Sequence, residues 1–191
     1  MTPDEIVEGA KRLGATFNKR TLFNYTADKC LPEPKRGAGY GGKWVEYEKM
    51  DTIWATVAWR MIHGVYPESN NHVKSPISDI KAPRTPPKTV GLLHGEFVRC
   101  LKEYVKTNEV NDIEKLERAL QDNCWRDLAG TSGLILRGMM AWYICAFDMV
   151  ISDIAVLEAE KQAEKGTVEF AARFMVVLNG KWNEIIQKMQ E

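Results

Sequence analysis

Apolar residues recur at helical spacing along most of this chain, and the breaks in that spacing set its layout. Ile6, Ala10 and Leu13 form one stripe near the start. Thr2 stands before it as an N-cap, Pro3 takes the first helical position, and Glu5 completes a capping box. Gly14 ends that helix. A second helix is expected from Asn18, as N-cap, to about Asp28. Its Leu22 and Tyr25 face inward, and Pro32 and Pro34 block its continuation. Residues 35–47 read as loop and short strand. Gly37, Gly39, Gly41 and Gly42 loosen the chain there, and Trp44, Val45 and Tyr47 favour extended backbone. A third helix is expected over roughly Glu48 to His63. Ile53, Val57 and Ile62 face a core, and Trp54 and Trp59 widen its apolar surface.

The period then disappears. Tyr66 to Thr89 contains Pro67, Pro76, Pro83, Pro86 and Pro87, together with Asn70 and Asn71. Such a composition predicts an extended or disordered linker. Helical spacing resumes at Gly91 and holds to the end, with helices expected near 91–107, 111–128, 132–160 and 166–190. Four helices with short connections predict a bundle. The layout is therefore mostly α. It comprises an N-terminal domain over 1–64, a proline-rich linker over 65–90 and a separate all-helical domain over 91–191.

Composition adds a charge asymmetry. The formal net charge is zero over 191 residues, of which 45% are hydrophobic, so a substantial core is expected. Residues 10–45, however, hold eight basic side chains and two acidic ones, a net of +6. Residues 91–191 hold 12 basic and 16 acidic, a net of −4. A basic front on a neutral chain fits an electrostatic footprint confined to one part of the molecule. Cys30, Cys100, Cys124 and Cys145 lack paired spacing and read as buried free thiols of a reducing compartment. The start carries no signal-peptide pattern, and a cytoplasmic protein is expected. The apolar run Gly138 to Leu157 contains Asp148 and Asp153, which favours a buried core helix over a membrane span.

Few residues suggest chemistry. Gly37 to Lys43 matches G-x-x-x-x-G-K, but Trp44 stands where a phosphate loop needs Ser or Thr. His63, His72 and His94 lack companions at metal-ligand spacing. No nucleophile motif is present, so neither an enzyme nor a cofactor is expected. The stretch with a specific message is Asn18 to Tyr47. A short helix carrying Lys19, Arg20, Thr21 and Asn24 leads into Leu31-Pro32, and a basic glycine-rich loop with Lys35, Arg36 and Lys43 follows. That order suits a helix laid in a DNA groove beside a cationic wing that grips phosphate.

Residues 2–63 resemble the N-terminal winged helix-turn-helix of MerR-type transcription regulators. Thr21-Leu22-Phe23-Asn24-Tyr25-Thr26 stands where that family has Thr-Leu-Arg-Tyr-Tyr-Glu, and Pro32 follows at the matching distance. Pro34-Lys35-Arg36 opens the wing and Trp44-Val45-Glu46-Tyr47 closes it. The resemblance covers about a third of the chain. It implies double-stranded DNA as partner, and because the family's contact arginines are replaced here, Lys19, Arg20, Thr21, Asn24, Lys35, Arg36 and Lys43 are the residues expected to read it. The departures are Phe23 and Asn24 in the recognition helix, Val45 at the wing arginine and Lys29 at the turn glycine. The expected function is a sequence-specific regulator whose helical domain dimerises, meets a protein partner or senses a small molecule. A phage-like packaging or recombination factor and a protein-interaction module without DNA binding stay open as alternatives.

Overall fold

The computed structural model describes residues 1–36, 45–65, 84–107, 131–162 and 167–190. The protein is mostly helical. Among the described residues there are six helices: α1 (Pro3–Arg12), α2 (Lys19–Ala27), α3 (Asp51–His63), α4 (Pro87–Thr107), α5 (Thr131–Glu160) and α6 (Val168–Gln190). The one sheet among them pairs β1 (Lys35–Arg36) antiparallel with β2 (Val45–Glu46), with Lys35 opposite Glu46 and Arg36 opposite Val45. Two compact units divide the chain, Met1–Gly95 and Glu96–Glu191, and α4 contributes residues to both. Most of the expected linker, 66–83, and the helix expected at 111–128 lie outside the described residues.

Local sequence signals account for the first two helices. Thr2 and Glu5 close the capping box around Pro3, and Asn18 caps α2 by accepting the Thr21 N–H at 3.0 Å. Both helices end in the same six-residue hydrogen-bond pattern. In α1, Ala15 donates to the Ala10 carbonyl and Gly14 to Lys11. In α2, Cys30 donates to Tyr25 and Lys29 to Thr26. This motif needs a left-handed residue after the cap. Gly14 supplies it at φ 81° for α1, but Lys29 supplies it at φ 60° for α2. Lys29 is the one non-glycine residue with positive φ among those described.

In the first unit α1 packs on α2 and α3 through Ile6, Ala10, Leu22, Tyr25 and Leu31. α3 is buried nearly all round. Val57 is buried as expected, but Trp54 and Met61 are fully buried while Ile53 and Ile62 are only half so. The reason is the start of α4, which begins at Pro87 rather than near Gly91 and covers the Trp54 side. His94 meets the Trp54 ring edge-on at 4.8 Å, and Thr85 donates its N–H to the Met61 carbonyl. α4 passes so close to the end of α2 that a Cβ on Gly91 would lie 1.9 Å from the Asp28 carbonyl oxygen. Glycine is the residue that permits this crossing. Cys30 lies in the same contact, its thiol 3.2 Å from the Pro87 carbonyl.

In the second unit the later part of α4, α5 and α6 share an aromatic core. Phe97 lies 4.9 Å from Phe147 and 5.4 Å from Tyr143, and Phe147 meets Trp182 edge-on at 5.5 Å. Lys181 is buried beside them and pairs with Glu158 at 3.1 Å and Glu184 at 3.4 Å. The segment Gly138–Glu160 is long and apolar enough to cross a membrane, with a mean hydropathy of 1.7. Met140, Tyr143, Phe147, Val150 and Ile151 on it are buried within the unit. Cys30 and Cys100 are buried free thiols, whereas Cys145 is exposed on α5; Cys124 lies outside the described residues. The first half of α6 buries none of its residues, and Val168, Met175 and Val176 face solvent.

Candidate nucleic-acid interface

The helix α2 has one inward and one outward face. Leu22 and Tyr25 are buried. Phe17 meets the Tyr25 ring edge-on at 5.6 Å, and burial raises the Tyr25 phenol well above its ordinary pKa. Arg20, Phe23, Asn24 and Ala27 are exposed, and their spacing of three, four and seven residues places them on one stripe. Phe23 keeps 45% of its surface in water. Nothing in the packing of the described residues accounts for a phenyl ring left so open.

The hairpin is tied to α2 and to the start of the chain at its base. Tyr47 is buried, with its hydroxyl 3.4 Å from Thr26 Oγ1, and burial raises its pKa. Thr26 in turn donates to the Leu22 carbonyl. The Tyr47 N–H donates to the Met1 carbonyl at 2.8 Å, and the Met1 amino group donates to the Tyr47 carbonyl at 2.6 Å. Beyond β2, Asp51 opens α3 buried, accepting the Glu48 N–H at 2.7 Å. Burial pushes its carboxyl up to about 6. The Cys30 thiol is pushed up to about 12, by burial first and by the nearby Asp28 carboxylate second. It is therefore a protonated packing group rather than a nucleophile.

The residues expected to contact DNA have different surroundings. Arg20 and Asn24 are exposed on the outward stripe of α2. Lys19 is also exposed, but its ammonium pairs with Asp4 at 2.7 Å. The Thr21 hydroxyl donates to Asn18 Oδ1 at 3.2 Å, beside the capping bond to the same oxygen. Thr21 therefore serves the N-terminal turn of α2, and its hydroxyl is not turned toward a partner. Lys35 stands in β1 and pairs with Glu48 at 3.1 Å. Arg36 follows it in β1, and Lys43 lies outside the described residues. Exposed pairs such as Lys19–Asp4 and Lys35–Glu48 contribute at most about 1 kcal/mol to folding.

Phe23, a departure from the resembled family, is the exposed ring of this surface. The signal that finds it is the spacing of 20, 23, 24 and 27, opposite the inward pair at 22 and 25. Among the described residues no three His, Cys, Asp or Glu side chains come together as a metal site. No family model matches the chain, and no curated protein or solved structure is significantly similar to it.

Proposed function

We propose that the first unit binds double-stranded DNA as a winged helix-turn-helix of MerR-like type, in a protein that regulates transcription. α2 enters the major groove with Arg20, Phe23 and Asn24 leading, and the hairpin carrying Lys35 and Arg36, with Lys43 expected beside them, lies against the neighbouring backbone. The observation that carries this reading is the outward stripe of α2, which exposes a cation, a ring and a carboxamide together while Leu22 and Tyr25 anchor the helix behind it. A second observation supports it. The left-handed residue after α2 is Lys29, at the position where the resembled family carries its turn glycine.

The test is binding of the full chain to random-sequence duplexes over a range of salt. Affinity should fall steeply with rising salt as phosphate contacts are screened. Alanine at Lys35, Arg36 and Lys43 together should weaken binding to all sequences alike. Absence of binding at low salt rejects the reading, and unchanged binding by the triple variant rejects the wing.

The pairing of Lys19 and Lys35 with carboxylates, beside an exposed Phe23, favours a second reading. In it the same surface meets a protein. The helical unit then carries self-association or effector binding in either case, and the exposed Val168, Met175 and Val176 of α6 are its most available apolar surface among the described residues. Sedimentation of the Met175→Glu/Val176→Glu variant beside the parent chain tests that role.

A further inference from the structure

We infer that Phe23 reads a thymine methyl group, and that with Asn24 it makes the first unit selective for an A·T pair at the centre of the α2 footprint. The inference rests on the DNA reading above. Three observations lead to it. Among the described residues of the first unit, Phe23 is one of the few large apolar side chains left open, at 45% exposure. It lies on the outward stripe between Arg20 and Asn24 rather than at the edge of the unit. Its neighbours Leu22 and Tyr25 are buried and anchor the helix from the opposite face.

The chemistry of the major groove matches this group of side chains. The thymine 5-methyl is the groove's one apolar feature, and a phenyl ring gains by covering it. Adenine offers N7 as acceptor and its N6 amino group as donor, which a carboxamide pairs with on both atoms. These features lie on the two partners of one A·T pair. From Arg20 to Asn24 the helix advances about 6 Å, roughly the rise of two base pairs. Phe23 and Asn24 are therefore near enough to address one pair, or two adjacent ones. Arg20, one turn earlier, faces the next guanine or phosphate. A ring replaced by arginine at this position would favour guanine instead, so Phe23 sets a preference and does not merely tolerate DNA.

The experiment uses the full chain and a pool of random 24-base-pair duplexes, enriched by repeated rounds of binding. The enriched duplex is then resynthesised with deoxyuridine replacing one thymidine at a time, which removes a single methyl group. One or two positions should lose about fourfold in affinity, the worth of one buried methyl. Phe23→Ala should bind the thymidine and deoxyuridine duplexes equally. Phe23→Leu should keep part of the difference. Circular dichroism of both variants should match the parent, because Phe23 is not a core residue. An enriched duplex that is indifferent to every methyl removal overturns this inference and leaves the DNA reading standing. So does a methyl effect that survives in Phe23→Ala. If no duplex binds at low salt, both fall. If duplexes bind without enrichment, the sequence preference inferred for Phe23 and Asn24 fails while phosphate binding stands.

Discussion

Two buried titratable groups in the first unit should oppose each other as pH falls. Burial holds the His94 ring down at about 4, against the Trp54 edge, and holds the Asp51 carboxyl up at about 6. The ordinary values are 6.5 and 3.8. Between about pH 6.5 and 4 the unfolded chain protonates His94 while the folded chain does not. Folding stability therefore falls as pH falls through that window. Over nearly the same window the folded chain protonates Asp51 while the unfolded chain does not, and stability rises as pH falls. Each displacement corresponds to about 2–3 kcal/mol between pH 7 and 4, so the two contributions nearly cancel in the parent chain. Asp51→Asn removes one of them. Its stability should decline by about 2–3 kcal/mol relative to the parent from pH 7 to pH 4. His94→Gln should show the opposite slope, gaining a similar amount on the parent over the same range. Urea unfolding of the full chain, with hydrogen exchange at α3 amides reporting the first unit, measures both. Profiles of either variant that run parallel to the parent would refute the claim that burial displaces that group.

Three further outcomes follow, two from the backbone and one from a buried ion pair. Lys29→Gly should stabilise the first unit by about 0.5–1 kcal/mol, because glycine occupies the left-handed position without the Cβ conflict; a urea midpoint that falls would contradict the geometry of the turn. Gly91→Ala and Gly95→Ala should have opposite signs, although both lie in α4. At Gly91 a methyl meets the Asp28 carbonyl and should cost several kcal/mol, whereas Gly95 faces open space and should gain roughly 0.5–1 kcal/mol of helix propensity; melting temperatures of the two variants decide it. Lys181→Ala should destabilise the second unit, because it removes a buried cation from Glu158 and Glu184 together. Burial alone would lower the Lys181 pKa, but the two carboxylates outweigh it and the net direction is up. The stabilising effect of Lys181 is therefore lost only as pH rises above the ordinary lysine range.

The parts of the fold legible in the sequence are those fixed by neighbours along the chain. Thr2, Pro3 and Glu5 announce α1, and Asn18 announces α2, because a cap needs only residues within one turn. The inward faces of α1 and α2 follow from spacing for the same reason. The burial of α3 on all sides was not legible, because its cover comes from α4, and no local pattern says that Gly91 will approach Asp28. The lowered His94 depends on the same meeting of α4 with α3. Of the candidate interface, Arg20 and Asn24 were legible from helical phase. The capping bond of Thr21 and the ion pairs of Lys19 and Lys35 were not, since they need the second partner placed in space.

Those two ion pairs have a consequence for how the molecule would search a genome. Asp4 and Glu48 stand beside the cations nearest the α2 surface and the hairpin, and neither pair matters much to folding. If this face meets DNA, each carboxylate acts as a built-in competitor for phosphate. Any polyanion must first displace it, and only a duplex that also rewards Arg20, Phe23 and Asn24 recovers the loss. The acids then work as a brake on promiscuity. They shorten the time spent on indifferent sequence and lower the number of ions exchanged on binding, so the salt slope should fall short of the count of basic residues. Asp4→Asn and Glu48→Gln would release that brake, tightening the grip on all DNA while blurring the difference between one site and another.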